Sequence, residues 1–205
     1  MPLLSKSQRP RSQTPPPGAA DLRAPDPTER RRAVRAMALE PDSAPTLADH
    51  LLREADPSVR SAIFYALGEM GTEAAADALT GLIAGPDATL RSAAAAAARG
   101  MPDLMSPRLA LLLANPEPEL RVRAAAALLD LGCPETPALF LDLLTCETDA
   151  NVAGALVDGL AQCGSAEALP VLRATRQRFA EIGFLRFACD FACSEIESGG
   201  LAQND

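Results

Sequence analysis

The chain has 205 residues, of which 48% are apolar but only 3% aromatic, so alanine supplies much of the material for a single buried core. The formal net charge is −8, and because residues 1–20 carry Lys6, Arg9 and Arg11 and no acid, the remainder carries about −11. An acidic body argues against sequence-independent binding of nucleic acid, which requires cations facing phosphates.

The first 25 residues contain six prolines together with Ser and Gln, and little that a core could use. Such a composition predicts a disordered or polyproline-II tail, which is either a solvated segment or a basic, Pro-rich docking arm. The five cysteines form no CxxC pair and fall in or beside helical patterns, which favours a reducing compartment, the cytoplasm. No apolar run is long enough for a membrane span, so we expect no membrane association.

After the tail, one short segment recurs about every thirty residues. Its apolar residues stand one before and three, six and seven after a column of arginines, positions that trace one face of a helix. Eleven residues after the column comes a helix stop: Pro41, Gly71, Pro102, Gly132 or Gly164. The copies are Asp26–Arg30, Asp56–Arg60, Asp87–Arg91, Glu117–Arg121 and Asp149–Ala153, at spacings of 30, 31, 30 and 32 residues, with a weaker sixth copy at Leu185 and Arg186.

A second apolar helix is predicted between each stop and the next acid. These helices cover Leu47–Leu52, Ala75–Ile83, Leu109–Leu113, Leu139–Leu144 and Ala168–Leu172. With a lone first helix at about 28–39, the count is roughly eleven, and each Arg-bearing helix is capped by Asp or a nearby acid. Because one helix pair cannot bury both of its apolar faces, the sequence predicts an all-α, right-handed α-solenoid (an α-α superhelix). It consists of about five helix pairs plus an extra N-terminal helix at 26–198, followed by a frayed C-terminus at 199–205.

The repeat resembles the HEAT-like repeat of the phycobilisome-lyase type, which carries an Asp-Pro-x-Val-Arg-x-x-Ala signature. Residues 56–66, 87–97 and 117–127 match this signature best, and the resemblance covers about residues 26–193. It implies that the Arg-bearing helices line a concave face and that their acids and arginines bridge adjacent repeats. The ladder so implied consists of Asp26, Arg30, Asp56, Arg60, Asp87, Arg91, Glu117 and Arg121; Ala153 interrupts it, so the fifth junction should be weaker or bridged otherwise.

Few residues suggest catalysis. His50 is the single histidine and is expected to be a solvated surface residue, so an iron site of the His-Glu type cannot be assembled. Cys189 and Cys193 lie four apart on one helical face, but they occupy core columns and are interpreted as buried filler rather than half of a zinc site. No phosphate loop, nucleophile elbow or paired-carboxylate motif occurs, so we predict a protein that is not an enzyme and has no cofactor.

Two surfaces are candidates for binding a partner. The run of small residues at 93–98 leaves either a tightly packed helix or a shallow floor for a partner helix or peptide, flanked by Tyr65 and Arg123. Phe184, Phe187 and Phe191 share one face of the last helix, where Phe179 either covers them or leaves an interface rimmed by Arg173, Arg176 and Arg178. The concave columns supply the other candidate residues: Arg31, Arg35, Phe64, Tyr65, Glu69, Arg99, Arg123, Asp130, Asp158 and Gln162.

These observations predict a cytoplasmic, non-enzymatic scaffold, adaptor or assembly factor that binds a protein through the concave face or the C-terminal repeat. A homodimer through the C-terminal repeat is one form of that prediction. Two alternatives stay open: a phycobilin-lyase-like chromophore lyase or chaperone, and a HEAT-like nucleic-acid-binding protein. The mixed charge of the concave columns makes nucleic acid the less expected partner.

Overall fold

The computed structural model describes the backbone of residues 19–202 and the side chains of residues 21–199. Within that range the chain forms eleven α-helices and three short 3₁₀ turns, and no β-strand. The helices are α1 (Pro27–Met37), α2 (Ala44–Leu51), α3 (Pro57–Met70), α4 (Glu73–Ala84), α5 (Ala88–Ala98), α6 (Pro102–Leu113), α7 (Pro118–Leu131), α8 (Thr136–Cys146), α9 (Ala150–Cys163), α10 (Leu169–Arg178) and α11 (Gly183–Ala202). The 3₁₀ turns are Ala19–Arg23, Pro41–Ser43 and Ala166–Ala168.

Each odd-numbered helix from α1 to α9 begins after one of the repeated acids. In α1, α3, α5 and α9 the carboxylate of that acid accepts backbone N–H groups of the first turn, which have no partner inside the helix. Glu117 makes no such bond before α7; instead its own N–H donates to Oδ1 of Asn115 at 2.9 Å. The predicted acid cap therefore holds in four of the five cases.

Two glycines end their helices in the way that the sequence predicts. Gly71 after α3 and Gly132 after α7 have φ values of +59° and +69°, in the left-handed region that favours glycine. A side chain at either position would be strained, so these two stops fix where the chain turns back.

The helices stack in two rows, which we call the odd and even rows. In the odd row each helix contacts the next, from α1 to α11, and the even helix preceding each odd one packs against it to form the five predicted pairs. The residue three positions after the arginine column is fully buried in all six odd helices: Ala33, Ile63, Ala94, Ala124, Leu156 and Cys189. The all-α solenoid prediction is confirmed.

The packed structure begins earlier and ends later than the boundaries read from the sequence. Residues Ala19–Arg23 form a 3₁₀ turn whose Leu22 is buried against α1, although the sequence assigned 1–25 to the tail. At the other end α11 continues to Ala202 through Gly199, because a helix that is already formed accepts a glycine at a cost of only about 1 kcal/mol. Residues 1–18 of the predicted tail and 203–205 of the predicted frayed end lie outside the described residues.

None of the helices in the described part of the chain combines the length and apolar composition that a membrane crossing requires.

Candidate interaction face

Two buried ion pairs link successive repeats, and the first joins Arg30 to Glu54. The Arg30 guanidinium donates to both carboxylate oxygens at 2.8 and 2.9 Å, and to the carbonyls of Ala24 and Pro25 at 2.8 and 3.1 Å. Burial alone would raise the pKa of Glu54, but the hydrogen bonds from Arg30, the Asp56 N–H and His50 outweigh it and lower that pKa to about 2. Glu54 is therefore ionised in the folded protein.

The same arrangement recurs at the fourth junction. Arg121 donates to both oxygens of Glu147 at 2.8 Å, and its remaining nitrogen donates to the carbonyls of Asn115 and Pro116 at 2.8 and 3.1 Å. Glu147 also accepts the N–H groups of the next two residues. Although burial raises the pKa of Glu147, these hydrogen bonds lower it overall. Its side chain, like that of Glu54, is only 3% exposed.

The two junctions between them lack the acid. Gly85 and Asn115 stand where the others have Glu54 and Glu147, two residues before the helix cap. Arg91 keeps the two carbonyl bonds, to Gly85 and Pro86 at 3.1 and 2.6 Å, but has no ion pair with a carboxylate among the described residues.

The ladder implied by the resemblance therefore needs a correction. Asp26, Asp56 and Asp87 cap their own helices and do not hydrogen-bond an arginine of the neighbouring repeat, because a capping carboxylate points into its own first turn. The bridging acids are Glu54 and Glu147. At the fifth junction, where Ala153 interrupts the ladder, Arg178 instead donates to the carbonyls of Leu144 and Thr145 at the end of α8.

His50 and the two bridging glutamates are the residues that sequence reasoning missed. His50 was expected to be solvated, but its Nε2 lies 2.9 Å from Oε2 of Glu54 and its side chain is 17% exposed. The position two before the cap holds Glu54, Asn115 and Glu147, and in each case the side chain accepts the N–H of the capping residue. A comparison of that position across the copies would have identified the two glutamates, but not His50.

One position per odd helix forms a line of exposed residues, which we call the exposed stripe. It lies five residues after the arginine column, on the side of each helix opposite the buried column. Every member is exposed, and the order along the stack is a cation, an aromatic residue, two small residues, an acid and an aromatic residue: Arg35, Tyr65, Ala96, Ala126, Asp158 and Phe191. Because the odd helices contact one another in order, this stripe runs from one end of the solenoid to the other.

A groove of about 390 Å³ separates α3 from α5 next to Tyr65. At its floor the backbones of the two helices approach so closely that only glycine fits. A Cβ on Gly68 would lie 2.9 Å from the Ala97 carbonyl oxygen, and a Cβ on Gly100 would lie 2.6 Å from the Gly68 carbonyl oxygen. The groove also contains Ala93 and Ala96, so the small residues at 93–98 do leave a shallow floor. A second groove, of about 300 Å³, lies on the other side of α5 and is bordered by Arg123 and Asp130.

The structure separates the predicted concave residues into exposed and buried ones. Phe64 is 8% exposed and belongs to the core, because it lies one position, or 100° of helix rotation, away from the exposed stripe. Arg123 is 14% exposed and is held by Glu119 and the Ala84 carbonyl. Arg31 is half-buried and donates to the Ser58 hydroxyl at 3.1 Å. The exposed residues are Arg35, Tyr65, Glu69, Arg99, Asp130, Asp158 and Gln162.

The phenylalanines of α11 face solvent. Phe184, Phe187 and Phe191 are 54%, 73% and 51% exposed, whereas Phe179 is buried and does not cover them. Phe184 packs over α9, where its ring would lie 3.3 Å from a Cβ on Gly154. Phe187 and Phe191 stand at the same repeat positions in α11 as Arg31 and Arg35 do in α1, one and five residues after the arginine column. The aromatic cluster is therefore the C-terminal end of the odd-row face.

The arginines expected to rim that cluster are already engaged. Arg173 pairs with Glu197 at 2.8 Å and Arg176 with Asp190 at 2.6 Å, both across the α10–α11 seam. Arg178 is bound to the end of α8, and its guanidinium lies 5.1 Å from the Phe179 ring centre. Of the three, only Arg173 and Arg176 reach the outer surface of α11.

The cysteines of α11 are placed as core residues. Cys189 is fully buried, and burial raises its pKa to about 11. Burial also raises the pKa of Cys193, which is partly buried, so both thiols are protonated at neutral pH. Among the described residues, no group of three or more His, Cys, Asp or Glu side chains is arranged to hold a metal ion.

Two rows of helices, an arginine column at the junctions between repeats and an exposed stripe, all at a period of about thirty residues, define an α-solenoid repeat protein. The sequence profile of HEAT repeats matches residues 17–99 and 105–178, so the chain belongs to the HEAT-repeat family. A comparison with curated proteins gave no significant match. A comparison with solved structures matched the crystal structure of an engineered protein from the Northeast Structural Genomics Consortium, with 18% identity and a TM-score of 0.40 over 88% of this chain and 95% of that one.

Proposed function

We propose that the protein is a non-enzymatic scaffold or adaptor that binds a segment of another protein along the exposed stripe of its odd row. HEAT repeats commonly serve as protein-interaction scaffolds, which is the coarse function that the family supports. The finer proposal rests on one observation, the placement of the aromatic residues.

The chain has only six Phe and one Tyr, and four of these seven rings are more than half exposed. All four lie on odd helices: Tyr65 on α3, and Phe184, Phe187 and Phe191 on α11. A sequence shaped by stability alone would bury its largest apolar side chains, since burying one is favourable by about 1.5–3 kcal/mol. Exposed apolar residues gathered on one face are typical of a binding surface.

The small residues between these aromatic ends give a partner access to the helices. Ala96 and Ala126 continue the stripe, and the grooves on either side of α5 lie directly beneath it. A peptide or helix that lies along the stripe inserts side chains into both grooves and contacts Tyr65 at one end and Phe191 at the other.

Site-specific crosslinking tests this proposal. The photoreactive residue p-benzoylphenylalanine is placed at Ala96, on the stripe, or at Ala138, an exposed alanine of the even helix α8. In the native host we expect Ala96 to give discrete protein adducts that Ala138 does not give. Equal adducts at both positions, or adducts at Ala138 alone, would contradict the proposal.

The α11 end of the face also fits a second copy of the chain. Three phenylalanines that are 54%, 73% and 51% exposed present on the order of 350 Å² of aromatic surface per chain, which is enough to nucleate a weak homodimer but small for a stable one. A dimer formed there would occupy only the end of the stripe and leave Tyr65 accessible.

The chromophore-lyase alternative predicts a coloured protein. Protein purified from its native source would then absorb in the visible range because of a bound tetrapyrrole, whereas the scaffold is colourless. The assignment of the repeats to the phycobilisome-lyase type stays a prediction that this measurement addresses.

A further inference from the structure

The charges of the chain are separated along the stack. Among the described residues at this end, 19–37, five side chains are basic and three are acidic, a net charge of +2, whereas residues 38–205 carry −13. Four of those basic residues lie in α1, the first helix of the odd row. The N-terminal end of the solenoid is thus a cationic surface on an acidic protein.

Five arginines outside α1 pair with a carboxylate: Arg108, Arg121, Arg123, Arg173 and Arg176. Within α1, Arg30 pairs with Glu54. By contrast, Arg32 and Arg35 of α1 are exposed and form no ion pair with any described residue, and Arg31 donates only to the hydroxyls of Thr28 and Ser58. Their positive charge is therefore not compensated locally.

These three arginines surround one shallow depression on α1. It has a volume of about 260 Å³ and also includes Thr28 and Glu29, so three cations face a single acid. Arg35 is the first residue of the exposed stripe and Tyr65 is the second, so an uncompensated cation and an exposed aromatic ring lie on neighbouring helices.

We infer that this end of the odd-row face recognises a short acidic protein segment that carries an apolar anchor, an inference that rests on the proposed function. The acidic side chains bind Arg31, Arg32 and Arg35, where guanidinium groups match carboxylates, and the anchor packs on Tyr65. Packed helices lie about 8–10 Å apart, and an extended chain covers that distance in about three residues. The acid and the anchor therefore stand about three residues apart.

The acidic charge of the face past Tyr65 limits the length of the partner and favours a protein segment over a nucleic acid. Past Tyr65 the exposed charged residues among the candidates are Glu69, Arg99, Asp130 and Asp158, which carry a net charge of −2. A long polyanion such as RNA or DNA would run from the cationic end onto a surface that repels it. A short acidic segment whose charges end at α1 avoids that repulsion.

Selection from a phage library of random dodecapeptides tests the inference with the full-length protein. We expect enriched peptides to carry Asp or Glu about three residues from an aromatic or aliphatic residue. A fluorescein-labelled copy of the most enriched peptide then reports affinity by anisotropy. Arg35→Glu should weaken its binding about tenfold or more, whereas Arg186→Glu should leave it within about twofold. Both residues are exposed arginines of odd helices, at opposite ends of the stack, so the pair is matched in charge change.

The outcomes separate the inference from the proposed function. If the enriched peptides lack acids but crosslink at Ala96, the scaffold stands and the acidic-segment inference is wrong. If no dodecapeptide is enriched and Ala96 gives no specific adduct, both are wrong. Should a labelled twelve-nucleotide oligothymidylate bind more tightly than the best peptide, and lose affinity in Arg35→Glu, the cationic end is a nucleic-acid site instead. Unchanged circular dichroism spectra and melting temperatures confirm that both variants fold.

Discussion

Replacing Arg121 by alanine should destabilise the protein far more than the same change at Arg60. Arg121→Ala removes two hydrogen bonds to Glu147 and two to backbone carbonyls, and leaves a carboxylate that is 3% exposed without its cation. Removing one partner of a buried pair costs about 3–5 kcal/mol. Because Glu147 keeps two backbone N–H donors, we expect the lower end, about 3 kcal/mol.

Arg60 is the matched control, because it occupies the same column but faces a junction where Gly85 replaces the acid. It makes no ion pair with any described residue, so Arg60→Ala should cost less than about 1 kcal/mol. Urea unfolding followed by circular dichroism at pH 7 measures both changes. Equal losses in the two variants would refute the reasoning, since the arginine column would then act without the bridging glutamates.

The dependence on pH provides a second check on the same pair. The pKa of Glu147 is lowered in the folded wild type, so its contribution to stability is present above the unfolded pKa and is lost as the pH falls through the folded one. In Arg121→Ala burial acts without the arginine and shifts that pKa upward. The difference in unfolding free energy between the two proteins should therefore shrink as the solution is acidified.

Three further predictions concern other parts of the molecule. Folding lowers the pKa of Glu54 from 4.5 to about 2, so its ionised carboxylate should stabilise the protein at neutral pH and lose that effect as the pH falls from 4.5 to about 2. In Glu54→Gln the melting temperature should therefore fall less over that pH range than it does in the wild type. The Thr175 hydroxyl is buried and has no hydrogen-bond partner among the described residues, so Thr175→Val should raise the unfolding free energy by about 1 kcal/mol in urea; a loss would mean that the hydroxyl has a partner. Phe187→Glu should leave the melting temperature within about 2 °C but abolish any concentration-dependent dimer in light scattering; unfolding of α10 and α11 would show that the ring is core.

The fold could be predicted because the solenoid repeats one local pattern six times. A single copy of the arginine column and its buried neighbours would be ambiguous, but six copies fix the helix faces, the stops and the pairing. The N-terminal boundary could not be found in this way, since the turn that buries Leu22 belongs to no repeat.

The site was predicted less completely than the fold. Periodicity identifies which helix face is exposed, but it does not resolve neighbours 100° apart, so Tyr65 was assigned correctly to the surface and Phe64 was not. Pairing of charges across helices depends on side-chain reach, and for this reason Glu54 and Glu147 were overlooked in favour of the capping acids. The exposure of the α11 phenylalanines could not be decided, because it depended on where Phe179 packs.

The uneven distribution of ion pairs among the junctions has a consequence for how the solenoid comes apart when it is partly unfolded. In a repeat array each unit is coupled only to its neighbours, so the weakest coupling sets where cooperativity breaks. Buried ion pairs link the helices at the first and fourth junctions, and Arg108 of α6 pairs with Glu73 and Asp77 of α4 at the third. The second junction, where α3 packs against α5, has no ion pair among the described residues, and these two helices pack less extensively than α7 and α9 do. We therefore expect partial denaturation to separate the solenoid first between α3 and α5.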